Sequence, residues 1–155
     1  MTHRLWNCRG RAQALLWFSV AVPLFVSMAG LAIDGGVLLD ARRELQSVAD
    51  GAARAGATRL DMARLRASGG SDVQLDPVLA DQAARRYVAN ALVGVADAWP
   101  APPNAAVDVG PRRVHVLIHA TLRTAFLRIV HVEAIPVEAS AFADVQFGIR
   151  DGTGG

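Results

Sequence analysis

Two histidines, His115 and His119, fall on one face of the alternating stretch RVHVLIHA (113–120). Imidazoles so placed can hold a metal or carry a proton. A zinc-type site needs three or four ligands, and no third His, Cys or well-placed carboxylate stands near this pair in the sequence. The two therefore read as side chains on a solvated strand face. Asp34, Asp40 and Glu44 also lie near one another, along a helical stretch, and read as a solvated acidic flank. There is no serine in an elbow motif, no glycine-rich phosphate loop between strand and helix, and no CxxC. Cys8 is the single cysteine, so no intrachain disulfide can form. The sequence predicts no catalytic residue, no cofactor and no metal; the expectation is that it is not an enzyme, and a small enzyme is the disfavoured alternative.

What remains is the chemistry of contact. In GLAIDGG (30–36) an uncharged run meets a carboxylate and a glycine pair, and the chain then continues with helical spacing. Gly35-Gly36 either loosens the helix there or lets another helix approach closely. Ala49, Ala53 and Ala57 recur at i+4, as do Ala52 and Gly56. Rows of small residues permit close helix–helix contact. Such a stripe packs either on the chain's own sheet or on a neighbouring subunit. The residues singled out for a membrane interface or a docking surface are Asp34, Gly35, Gly36, Ala49, Ala52, Ala53 and Gly56.

These residues depend on the element that carries them. Ala12–Ile33 is 22 residues without a charge, long enough to cross a hydrocarbon core of about 30 Å as a helix. Arg4, Arg9 and Arg11 precede it, and all 14 acidic residues follow. That asymmetry predicts an N-in, C-out anchor. Pro23 is tolerated in such a span. Asp34 is read as the exit marker, its charge in headgroups and water rather than in hydrocarbon, where it would cost about 3 kcal/mol. A cleaved signal peptide is the rival, with Gly30-Leu31-Ala32 as its site, but its apolar core would be shorter. Against cleavage, Leu38, Ala41, Leu45, Val48, Ala52 and Ala55 carry one helical face past Ile33.

From Asp34 onward, 13 Arg oppose 14 Asp and Glu, a net of −1. The chain has no Lys, and no basic stripe interleaved with aromatics that would suit nucleic acid. The predicted plan is a cytoplasmic basic tail (1–11), a transmembrane helix (12–33), a periplasmic domain (34–148) and a flexible tail (149–155). Within the domain, helices are predicted at about 34–66 and 77–95, separated by the turn-rich ASGGSD (67–72). Asp76 and Pro77 supply the second helix with a cap and a first turn, and Leu79, Ala83, Tyr87 and Ala91 recur along it at i+4. Strands are predicted at about 105–109, 113–120 and 137–147. Val114, Val116, Ile118 and Ala120 face one way and His115 and His119 the other. TAFLRIVHV (124–132) does not alternate and reads as a short turn or helix. Three strands with one apolar face need a helix to cover it. The fold class is α+β: a long N-terminal helix on a small antiparallel sheet.

The stretch GRAQALLWFSVAVPLFVSMAGLAIDGGVLLDARRELQSVADGAARAGA (10–57) resembles the N-terminal segment of TadE/TadG-like proteins of the Flp (tight adherence) pilus system. The likeness rests on the mid-span Pro23-Leu24, the GLAIDGG exit, Arg42 or Arg43, Leu45-Gln46, and the alanine run broken by Asp50. TAFLRIV and VEASAFADV extend it to the C-terminal portion of short TadG-like chains, with 58–105 matching loosely. The resemblance implies an inner-membrane protein with a periplasmic, pilin-like domain, docking on other pilus-machine subunits and without enzymatic activity. Prepilins of this system are cut after a Gly and carry Glu at the fifth mature position; after Gly10 that position holds Leu15. An unprocessed, TadG-like anchor is the better match.

The function expected is thus a structural or assembly component of a Flp/Tad-type pilus. Its partners would be membrane lipid and other pilus subunits, with self-association left open. The alternative is a periplasmic or secreted binding domain released by signal-peptide cleavage.

Overall fold

The computed structural model describes residues 6–93 and 99–145. Residues 94–95, 146–147 and 149–155, to which the sequence assigned a helix end, a strand end and a tail, lie outside the described residues. The fold is α+β. Helix α1 runs unbroken from Trp6 to Ala57, 52 residues. Gly35 and Gly36 do not interrupt it, and Pro23 is accommodated within it. Ser27 Oγ donates to the Pro23 carbonyl at 2.8 Å and Ser19 Oγ to Leu16 at 2.8 Å. The hydroxyls of the apolar half are therefore satisfied within the helix itself.

The helix predicted to reach residue 66 is in fact two. α1 ends at Ala57, and α2 (Met62–Ala67) starts after a turn. Asp61 decides this, because its carboxylate caps the new helix by accepting the Arg64 N–H at 3.0 Å. Leu60 meanwhile bridges to Leu75. Gly69 and Gly70, with φ of 64° and 90°, reverse the chain where side chains are disfavoured. Asp76 then caps α3 (Pro77–Leu92), accepting from Val78 and Leu79 N–H.

The buried row of α3 is Ala80, Ala84, Val88 and Leu92, one position on from the row picked out in the sequence. Leu79 and Tyr87 are exposed. Small residues at 80 and 84 let α3 lie close to α1, and the partly exposed Tyr87 ring fits beside them only because Gly51 of α1 has no side chain.

Strands β1 (Asn104–Val109), β2 (Arg113–Arg123) and β3 (Ala134–Asp144) form an antiparallel sheet in the order β1-β2-β3. β2 pairs along its whole length with β3, from Arg113↔Asp144 to Arg123↔Ala134. α1 lies across β2 and β3, and α3 fills the space beside it over β1. The inner face of β2 presents Val114, Val116 and Ile118, all fully buried, against Leu45 of α1. Each such side chain contributes about 1.5–3 kcal/mol by leaving water. The helices also guard the sheet's edges: Gln46 Nε2 donates to the Ser140 carbonyl at 2.8 Å and Arg85 Nη1 to the Ala105 carbonyl at 3.3 Å.

Candidate functional site

The two halves of α1 live in different surroundings. From Ala41 onward one stripe is buried under the domain. Among residues 13–33 only Gly30 is buried, while Leu15, Phe18, Phe25 and Leu31 stand open on all sides of the helix. This is the one helix among the described residues long and apolar enough to cross a membrane.

The junction of these halves is a built structure. Asp34 is only 7% exposed. Its Oδ1 accepts the Ala125 N–H at 3.0 Å, and its Oδ2 accepts those of Phe126 at 3.0 Å and Leu127 at 2.7 Å. The three amides open a 3-10 turn (Leu127–Val130) in the β2–β3 connection. Hydrogen bonds to a carboxylate favour its charged form. The Leu127 N–H, with those of Ala125 and Phe126, accordingly holds the Asp34 carboxyl below its ordinary value despite the desolvation. One helical turn earlier, the Phe126 ring covers Gly30, and a Cβ on Gly30 would stand 2.7 Å from Phe126 Cγ. The connection is closed on itself. Thr124 N–H donates to the Glu133 carbonyl at 3.1 Å, and the Thr124 hydroxyl to the Val132 carbonyl. His131 takes the left-handed conformation (φ 66°) that ends the 3-10 turn.

The seven residues selected from the sequence divide three ways. Ala49, Ala52 and Ala53 are buried in the chain's own core, and Gly56 is buried where α1 crosses Val114 and the Ala80 carbonyl. A Cβ at Gly56 would meet those groups at 3.1–3.2 Å. Those four residues are therefore packed inside the domain. Asp34 is also committed, to backbone amides and not to headgroups and water. Gly35 and Gly36 alone stay open, with nothing within 4 Å of where a side chain would begin.

His119 Nδ1 pairs with Glu138 at 3.0 Å on the outer sheet face, and His115 is exposed opposite Phe142. Among the described residues no three His, Cys, Asp or Glu side chains gather as metal ligands do. On the same face Arg113 holds Asp144 through two bonds of 2.6 and 3.0 Å and lies 5.0 Å from the Phe142 ring centre. That ion pair raises the guanidinium's pKa and lowers the carboxylate's.

Residues 5–59 match the model of the Tad family, described as Flp pilus-assembly TadE/G-like. This chain carries a TadE/G-like segment. The match covers about a third of the chain; no curated protein and no solved structure matches it. The TadE/G-like segment closes two residues beyond α1, so it is in substance that helix: the bare apolar half, the Asp34 turn and the buried stripe. The likeness to Flp pilus-assembly TadE/G-like proteins is thus a likeness of this helix. The other side of the junction, Thr124 to Glu133, lies outside it. Sequence reasoning missed the pairing of these two sides. Its only trace was negative: TAFLRIVHV fails to alternate between two strands that do.

Proposed function

We propose that this protein is a single-pass inner-membrane component of a Flp/Tad-type pilus, with its N-terminus cytoplasmic and its α+β domain in the periplasm. It acts by docking on other subunits and not by catalysis. The observation that carries this reading is the continuity of α1. One rigid helix is bare and apolar over its first half and the spine of a domain over its second. The TadE/G-like match over that helix supports the pilus role. The three arginines before the span and the acids after it favour the N-in orientation.

Release by signal peptidase fits poorly with this architecture. A cut after Ala32 would sever α1 two residues before Asp34 and remove Gly30 from beneath Phe126. The docking surface proposed is the open helical face at Gly35 and Gly36, just above the span, where a second helix could come within backbone distance. The experiment has two arms. Membranes washed with alkaline carbonate should retain the full chain, and a periplasmic reporter fused after Gly155 should be active. In a strain with this gene deleted, the wild-type copy should restore pili and Gly35→Leu should not. A soluble chain would refute the anchor; full complementation by Gly35→Leu would refute the docking face.

A further inference from the structure

We propose that the β2–β3 connection, residues 124–133, is a second membrane contact, seated in the lipid interface beside the span and selective for anionic headgroups. This rests on the reading of α1 as a membrane anchor and goes beyond it, since a single span requires no other part of the domain to touch lipid. The first observation is position. Phe126 packs over Gly30, which lies three residues inside the end of the uncharged run. At 1.5 Å per residue that puts the ring about 4.5 Å on the apolar side of Ile33. Groups that lie in a bilayer interface reach about 5–10 Å into the boundary between headgroups and chains. The Asp34 bonds to residues 125–127 fix the connection at that height, so it cannot swing free of the boundary.

The second observation is what the connection shows to its surroundings. Ile129, at the middle of the 3-10 turn, is 77% exposed, and Phe126 and Val132 are each more than a third exposed. Ile129 makes no part of the core, and Phe126, though packed on Gly30, still turns part of its ring outward. Around them stand Arg123, Arg128 and His131, all exposed, against the single acid Glu133. Apolar side chains flanked by cations suit a surface of hydrocarbon edged with phosphate, and each arginine near an anionic surface adds to the attraction. The acid closest to the junction, Asp34, keeps its charge but is only 7% exposed and turns its oxygens to the three amides that donate to it. Two points of contact, the helix and this loop, would fix the tilt and rotation of the domain over the membrane. The open face at Gly35 and Gly36 would then be presented in one direction only.

The test uses the full chain, with Cys8→Ser, reconstituted in vesicles of phosphatidylethanolamine and phosphatidylglycerol. A polarity-sensitive fluorophore is placed on one of three new cysteines: Val20→Cys in the span, Ile129→Cys in the connection, or Phe142→Cys on the outer sheet face. All three positions are exposed, so labelling does not disturb the core. Quenching by a nitroxide held shallowly in the lipid is then read. The expected result is blue-shifted, quenched emission at 20 and 129 and aqueous emission at 142. Replacing phosphatidylglycerol by phosphatidylcholine, or making Arg128→Gln, should weaken the signal at 129 and not at 20. If 129 is aqueous while 20 is in lipid, the span stands and this inference fails. If 142 is quenched as strongly as 129, the connection is no special contact and the inference fails. If 20 is also aqueous, the anchor reading itself fails and takes the inference with it.

Discussion

The carboxylate of Asp34 accepts the backbone N–H of Leu127 at 2.7 Å, across 93 positions of sequence. With the Ala125 and Phe126 amides it joins the exit of the apolar helix to the far end of the sheet. The domain is thereby fastened at two places along α1, the buried stripe beyond Ala41 and this carboxylate. It is not hung from the helix by a tether.

The first prediction follows from that bond. Asp34→Asn keeps the shape but replaces one acceptor oxygen by a donor that faces an N–H. Hydrogen exchange at Ala125, Phe126 and Leu127 should accelerate markedly while the β2 amides stay protected. Acid should reversibly lower the protection of the same three amides, taken relative to the intrinsic exchange rate at each pH. Because the folded pKa lies below the ordinary value near 3.8, the bond's stabilisation is complete above that value and is lost as pH falls through the lower, folded one. Protection factors that ignore both the substitution and the acid would show that the turn is held by other contacts.

A second prediction contrasts two kinds of glycine on one helix. Gly30→Leu cannot coexist with Phe126, since even a Cβ would stand 2.7 Å from the ring. The connection should lift away from α1, seen as increased proteolysis between Thr124 and Glu133. Gly35→Ala meets nothing and should raise stability by up to about 1 kcal/mol through helix propensity. Thermal melts of the two variants in the same detergent distinguish them.

Gly56 tests the small-residue stripe. The close approach of Val114 and the Ala80 carbonyl leaves no room for the added carbons of Gly56→Leu, and overpacking costs about 1–3 kcal/mol. The domain should melt early, and pilus yield should fall only in proportion to the folded fraction. Normal melting with pili abolished would instead place a partner on this stripe.

Val116 probes the assignment of the sheet's faces. It is fully buried beneath α1, and Val116→Asp would set a charge there at a cost of several kcal/mol, enough to unfold a domain with a margin of about 5–15 kcal/mol once packing is also lost. Leu117→Asp, on the half-buried outer face, should fold. Circular dichroism of the pair gives the answer, and equal outcomes would contradict the observed faces.

Much of this architecture was legible one residue at a time. Alternation from Val114 to Ala120 marks a strand with one wet face because successive strand residues point to opposite sides. The uncharged length from Ala12 to Ile33 and the continuing 3-4 spacing beyond it mark one helix with two environments. Periodicity is a local property, so a single chain displays it directly. Contacts between distant segments leave no such mark. Asp34 looked like a boundary charge because a carboxylate's own neighbours cannot say whether its acceptor capacity is met by water or by amides 91 to 93 positions away. The alanine stripe suits a partner helix and the chain's own strand β2 equally well, since both ask only for small side chains. The buried row of α3 lay one position from the row read in the sequence, because it was fixed by the close approach of α1 and not by apolar content. Ile129 and Phe126 belonged to a segment without a period, and only the fold, by seating Phe126 on Gly30, carried them to the end of the apolar helix.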